Sequence, residues 1–165
     1  MAVVISDTTP LHYLILVGQE TVLEKLYGKV FVPPAILLEL SHASAPVQIS
    51  NWAKNLPAWV MVVTPKMIPD SFNDLDFGER QALALAQELH ADLVLLDDKV
   101  ARQRARKELM KVKGTLGIVA EAAKVNLLDF VETIEHLRHT SMHLDQHVID
   151  EVVRDYKRWQ QESTG

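Results

Sequence analysis

The chain contains no cysteine, which excludes disulfide scaffolds, thiolate metal sites and cysteine nucleophiles. Its six glycines are scattered, so neither a GxGxxG turn nor a Walker-type loop exists to cradle a nucleotide, and no GxSxG elbow is present. No apolar run approaches the ~20 residues of a membrane-spanning helix. The opening Met1-Ala2-Val3-Val4-Ile5-Ser6-Asp7 has neither the basic leader nor the apolar length of a signal peptide. A cytoplasmic setting with no membrane partner is therefore the expectation. Positive charge is also short, with 17 Lys+Arg against 22 Asp+Glu and a net −5, which argues against a general nucleic-acid coat protein. What remains is an ordinary globular composition, 165 residues with 48% hydrophobic and 24% charged, enough for one domain with a real core.

The scarce positive charge is concentrated. Between Lys99 and Lys113 lie Lys99, Arg102, Arg104, Arg106, Lys107, Lys111 and Lys113, opposed only by Glu108. A compact basic stretch on an acidic chain is a candidate footprint for a phosphate backbone, and equally a solvated helix face.

Short β-branched runs alternate with helical patterns. Strands are expected at 2–6, 30–32, 59–63 and 92–96, with a short one within 110–113. Helices are expected at 11–17 after the Pro10 break, at 20–27 closed by Gly28, from Pro34 onward, and at 47–56, 78–90, 98–109 and 115–125. Residues 64–77 read as a loop. Residues 128–161 suggest two helices separated near 140–144, the second with a Val148, Val152, Tyr156, Trp159 packing stripe. Repeated β-then-α order implies an α/β fold, a three-layer α/β/α sandwich on a central, mostly parallel sheet. It forms a single domain over 1–161 that includes the C-terminal helices, and 162–165 is a frayed tail.

Ligands of such sheets bind beyond the carboxyl ends of the strands. Asp7 follows the first strand and Asp97 follows Leu93-Val94-Leu95-Leu96, so both belong at that edge. Glu79 joins them by length. A 12-residue helix runs ~18 Å outward and a six-residue strand returns ~20 Å. Glu39 has Ala35, Ile36, His42 and Ala43 as helical neighbours, an apolar setting costly for an unpaired charge. Each acid also has a purely structural reading: Asp7 and Asp97-Asp98 as caps, Glu79 as a first-turn acid favoured by the helix dipole. Together they would repel one another and retain protons. A hard divalent cation such as Mg²⁺ or Mn²⁺ resolves that conflict with carboxylate and water ligands.

Ser6-Asp7-Thr8-Thr9-Pro10-Leu11, Glu39 after Val32-Pro33-Pro34, Gly78-Glu79-Arg80-Gln81-Ala82-Leu83-Ala84-Leu85-Ala86, Leu95-Leu96-Asp97-Asp98 and Lys113-Gly114-Thr115-Leu116-Gly117 resemble the PIN-domain superfamily. The likeness runs from Val3 to about Trp159 and is closest to a poorly characterised prokaryotic branch related to the ribonuclease toxins of toxin–antitoxin pairs. The resemblance implies a metal-dependent endoribonuclease acting on single-stranded RNA with one or two Mg²⁺ or Mn²⁺ ions. Asp7, Glu39, Glu79 and Asp97 are then the catalytic and metal-binding acids, Asp97 and Asp7 as direct ligands, with Asp98 auxiliary. Glu79 stands where many relatives carry aspartate. Thr8 and Thr115 match polar residues lining such sites. Lys99, Arg102 and Arg106, three and four residues apart, would share a helix face and hold substrate phosphates, with little base stacking because few aromatics lie nearby. A protein antitoxin and a second copy of the chain are candidate partners.

A non-catalytic RNA- or protein-binding module is the alternative, and a metal phosphatase on small substrates a third. His136, His139, His143 and His147 invite a zinc reading, but Thr140-Ser141 and Asp145 suggest a helix break within the cluster and no HExxH is present. His42 is read as structural or supporting, and Trp52, Trp59 and Trp159 as packing anchors.

Overall fold

A computed structural model describes residues 2–164. The chain divides after Thr115 into two compact units, 1–115 and 116–165. The architecture is a parallel sheet flanked by helices, in the three-layer α/β/α class.

The first unit holds the sheet. Its strands are β1 (Val4–Ser6), β2 (Val30–Val32), β3 (Val60–Val62), β4 (Leu93–Leu95) and β5 (Val112–Lys113), in the order β3-β2-β1-β4-β5. Every pairing is parallel, with Ile5 opposite Phe31 and Ser6 opposite Leu95. The sheet expected to be mostly parallel is thus wholly so among the described residues. All three residues of β1 are buried, as a central strand covered on both faces requires. Strands are added on one side of β1 through β3 and on the other from β4 onward. The carboxyl ends of β1 and β4 therefore flank the switch point where such sheets open a crevice.

The helices of this unit are α1 (Thr8–Leu16), α2 (Val22–Tyr27), α3 (Pro34–Leu40), α4 (Val47–Lys54), α5 (Phe77–Glu88) and α6 (Lys99–Lys107), with a 3₁₀ turn at Asp70–Phe72. Helix α1 begins three residues before the expected start, because Pro10 falls in its first turn, where no backbone donor is missed. Gly28 closes α2 with φ +78°, a conformation that costs glycine nothing. Ala82, Leu83, Ala84, Leu85 and Ala86 of α5 are all buried. Alternating small side chains let the helix lie close to the sheet, and the two leucines contribute about 1.5–3 kcal/mol each by burial. With Ile5, Phe72, Leu75, Val94, Leu96, Ala101 and Ala105 they form one hydrophobic cluster, which locks α5, α6 and the 3₁₀ turn to the sheet.

Helix α7 (Thr115–Lys124) starts at the boundary, and the second unit continues with α8 (Phe130–Arg138) and α9 (Gln146–Thr164). Phe130 stacks on Tyr156 with centroids 4.4 Å apart, and Tyr156 on Trp159 at 5.7 Å. The expected stripe is shifted by one position at its start: Ile149 is buried while Val148 is 42% exposed. The tail expected to fray is helical through Thr164, whose hydroxyl donates to the Gln160 carbonyl. Gly165 lies outside the described residues. No helix among the described residues is long and apolar enough to cross a membrane.

Candidate functional site

Asp7 is the N-cap residue of α1, yet its side chain makes no capping hydrogen bond. Its backbone N–H donates instead to the Leu95 carbonyl at 2.9 Å, continuing the β1–β4 ladder. The residue is only 6% exposed. Burial pushes its pKa up to about 7, the Thr8 backbone N–H opposes that rise, and the carboxylates of Glu39, Asp76 and Asp97 add to it. Three acids from three different parts of the first unit thus bear on one buried carboxyl.

Asp97 follows β4 by two residues. The Thr115 backbone N–H donates to its Oδ1 at 2.9 Å and the Thr115 hydroxyl to its Oδ2 at 2.6 Å. Burial raises the Asp97 pKa, and the two Thr115 bonds and the nearby Arg102 charge oppose that rise without cancelling it. A Cβ placed on Gly114 would lie 2.7 Å from Asp97 Oδ1 and 2.8 Å from Arg102 Nη1. Only glycine leaves room there for both groups.

Glu79 is 7% exposed and belongs to a capping box. Its backbone N–H donates to Asp76 Oδ1 at 2.9 Å, and its Oε1 accepts from the Asp76 backbone N–H at 3.2 Å. The expected helix-dipole role is therefore present alongside any other. Burial foremost, then the Asp76 carboxylate, raises its pKa to about 8; the Asp76 N–H opposes this, and Asp98 and Asp7 contribute further.

Glu39 departs from its expected setting. It is exposed, because α3 ends at Leu40 and turns Ala35, Ile36 and Leu40 inward. His42 and Ala43 lie beyond the helix and are not its neighbours along a helix face. Its Oε2 accepts from the Thr8 hydroxyl at 2.5 Å, and its Oε1 rests against Gly78, where any side chain would collide with it. Those contacts, and not apolar burial, aim Glu39 at Asp7. His42 Nδ1 engages Ser44, at 2.8 Å from the hydroxyl and 3.1 Å from the backbone nitrogen; it is a structural residue of that turn.

Asp98 caps α6, its Oδ2 accepting from the Ala101 N–H at 2.9 Å. The basic stretch divides by face. Arg102 reaches the acids beside Asp97; burial lowers its pKa, as does Arg106, while Asp97 opposes the change. Arg106 and Lys99 are exposed. Arg104 points elsewhere, to Asp74 at 2.7 Å and the Ser71 carbonyl, and fastens the 3₁₀ segment to α6.

Asp76 is the acid that sequence reasoning missed. It was hidden in the expected 64–77 loop, although Asp76-Phe77-Gly78-Glu79 has the spacing of a capping box. The histidines are not gathered. His136 faces Glu132 at 4.0 Å within α8, and His139, the C-cap residue of that helix, faces Glu135 at 3.9 Å, whereas His147 is on α9.

Among the described residues, no three acidic or histidine side chains stand close enough together to hold a metal ion. The chemistry of the donor set nonetheless suits a hard divalent cation: oxygen donors only, mutually repelling, with Asp7 and Glu79 buried, and countered within the cluster by one arginine. A family model described as DUF3368, a PIN domain, matches residues 3–158. No curated protein matches the chain.

Proposed function

The chain belongs to the PIN-domain family, and from that premise we propose that it is a metal-dependent endoribonuclease that cleaves single-stranded RNA. PIN domains are generally nucleases and typically use divalent metals. The observation that supports the finer reading is Asp7, a buried carboxyl at the strand switch point, facing Glu39, Asp76 and Asp97. Asp7, Asp97 and Glu39, which would first have to draw closer together, would hold Mg²⁺ or Mn²⁺, with Glu79 and Asp98 at the margin. When bound, that cation supplies an activated water and charge neutralisation at the phosphodiester.

The chain's own residues divide the remaining work. Thr115 engages both oxygens of Asp97 and so fixes the carboxylate plane. Thr8 turns Glu39 toward Asp7. The Asp76–Glu79 box sets the first turn of α5 beneath them. Arg102, with Lys99 and Arg106 further along the exposed face of α6, holds substrate phosphates by charge and hydrogen bonds. The site lies entirely within residues 1–115.

A purified sample should cut a single-stranded RNA oligonucleotide with Mn²⁺ or Mg²⁺ and stop with EDTA. Equal residual activity in the Asp7→Asn and Asp97→Asn proteins would sink the assignment. The capping-box engagement of Glu79 favours one competing reading, a non-catalytic RNA- or protein-binding module, which predicts metal-independent RNA binding without turnover. A toxin role is a narrower proposal: expression should arrest growth, and a protein encoded alongside should relieve the arrest. Self-association is read separately, by the mass of the particle in solution.

A further inference from the structure

Large apolar side chains left open to water need a reason when they border a charged site. Phe77, the first residue of α5, is 53% exposed. Both of its chain neighbours touch the acid cluster: Asp76 through its effect on Asp7 and Glu79, and Gly78 through its contact with the Glu39 carboxylate. The ring is therefore carried by a residue that the acid cluster flanks on both sides along the chain. The Arg80 guanidinium lies over it, 5.8 Å from the centroid. Arg80 Nε is buried and has no hydrogen-bond partner, so, among the described residues, the contact with the ring is the one interaction that engages this guanidinium.

An aromatic face, a cation against it and carboxylates alongside suit a ligand that brings a flat π-system and a phosphate together. We propose that Phe77, with Arg80 across its ring, is the platform on which one nucleobase of the RNA chain stacks beside the acid cluster. The inference rests on the ribonuclease reading and adds a defined base contact where the sequence suggested backbone contacts with little base stacking. Base stacking on an aromatic is tolerant of sequence, so the platform selects an unpaired base over a paired one and does not select a particular base.

The test uses the full chain in EDTA and a 5′-fluorescein single-stranded RNA octamer, with affinity read by anisotropy. Phe77→Ala should weaken binding by roughly tenfold, the scale of one lost base stack, whereas Phe77→Trp should restore it. An abasic substitution at one position of the octamer should reproduce the loss, and combining it with Phe77→Ala should cost nothing more. In the cutting assay Phe77→Ala should raise KM and leave kcat in place. Unchanged affinity in Phe77→Ala, or additive losses at every abasic position, overturns the platform while leaving the nuclease reading intact if the wild-type chain still cuts. A wild-type chain that neither binds nor cuts the octamer overturns both.

Discussion

Replacing Asp7 by asparagine should make the metal-free protein more stable while abolishing its activity. In the fold, the Asp7 carboxyl titrates near 7 instead of its ordinary 3.8. The folded state therefore holds a proton that the unfolded chain releases, between about pH 4 and pH 7. Stability that is full below pH 4 drains away as pH rises through that window, by up to about 4 kcal/mol at 1.36 kcal/mol per pH unit. Asparagine has similar shape and no charge to bury, so it escapes the loss. Urea denaturation in EDTA at pH 5 and pH 8.5 measures it. The Asp7→Asn protein should be more stable by roughly 1.5 kcal/mol at pH 5 and by about 4 kcal/mol at pH 8.5, the latter worth several degrees in Tm. Saturating Mn²⁺ should close the gap by stabilising only the wild type. A variant no more stable than the wild type at pH 8.5 would refute the electrostatic account of the site.

Thr115→Val removes the hydroxyl bond that holds the Asp97 pKa down; the acid limb of the pH–rate profile should move to higher pH, with a slower plateau. Gly78→Ala thrusts a methyl into the Glu39 carboxylate, so activity should fall well before the melting temperature does. Leu109, at φ +61° and 93% exposed, is a left-handed residue that gains nothing from burial. Leu109→Gly should stabilise by about 0.5–1 kcal/mol in a urea titration and leave RNA cutting unchanged.

The β-then-α alternation gave the sheet because parallel strands here are short valine- and isoleucine-rich runs that no helix pattern imitates. The matched lengths of one 12-residue helix and the strand that follows it also placed Glu79 on the edge where the strand ends put Asp7 and Asp97, since rise per residue is fixed by backbone geometry. The setting of Glu39 was not legible. Its exposure depends on where α3 stops, and a seven-residue helix has too few turns for periodicity to show its buried face. Arg102 and Arg104 looked alike in the basic stretch, and only three-dimensional neighbours, Asp97 for one and Asp74 for the other, separate their roles. Asp76 was missed because a loop assignment obscured a cap.

Between Asp7 and Thr115 the chain must close four crossovers before the two residues can serve one pocket. A nascent polypeptide therefore emerges from the ribosome with its pocket unfinished: β1 presents its acid first, and Thr115 follows more than a hundred residues later. For a protein that would cut RNA, this late assembly spares the message being read.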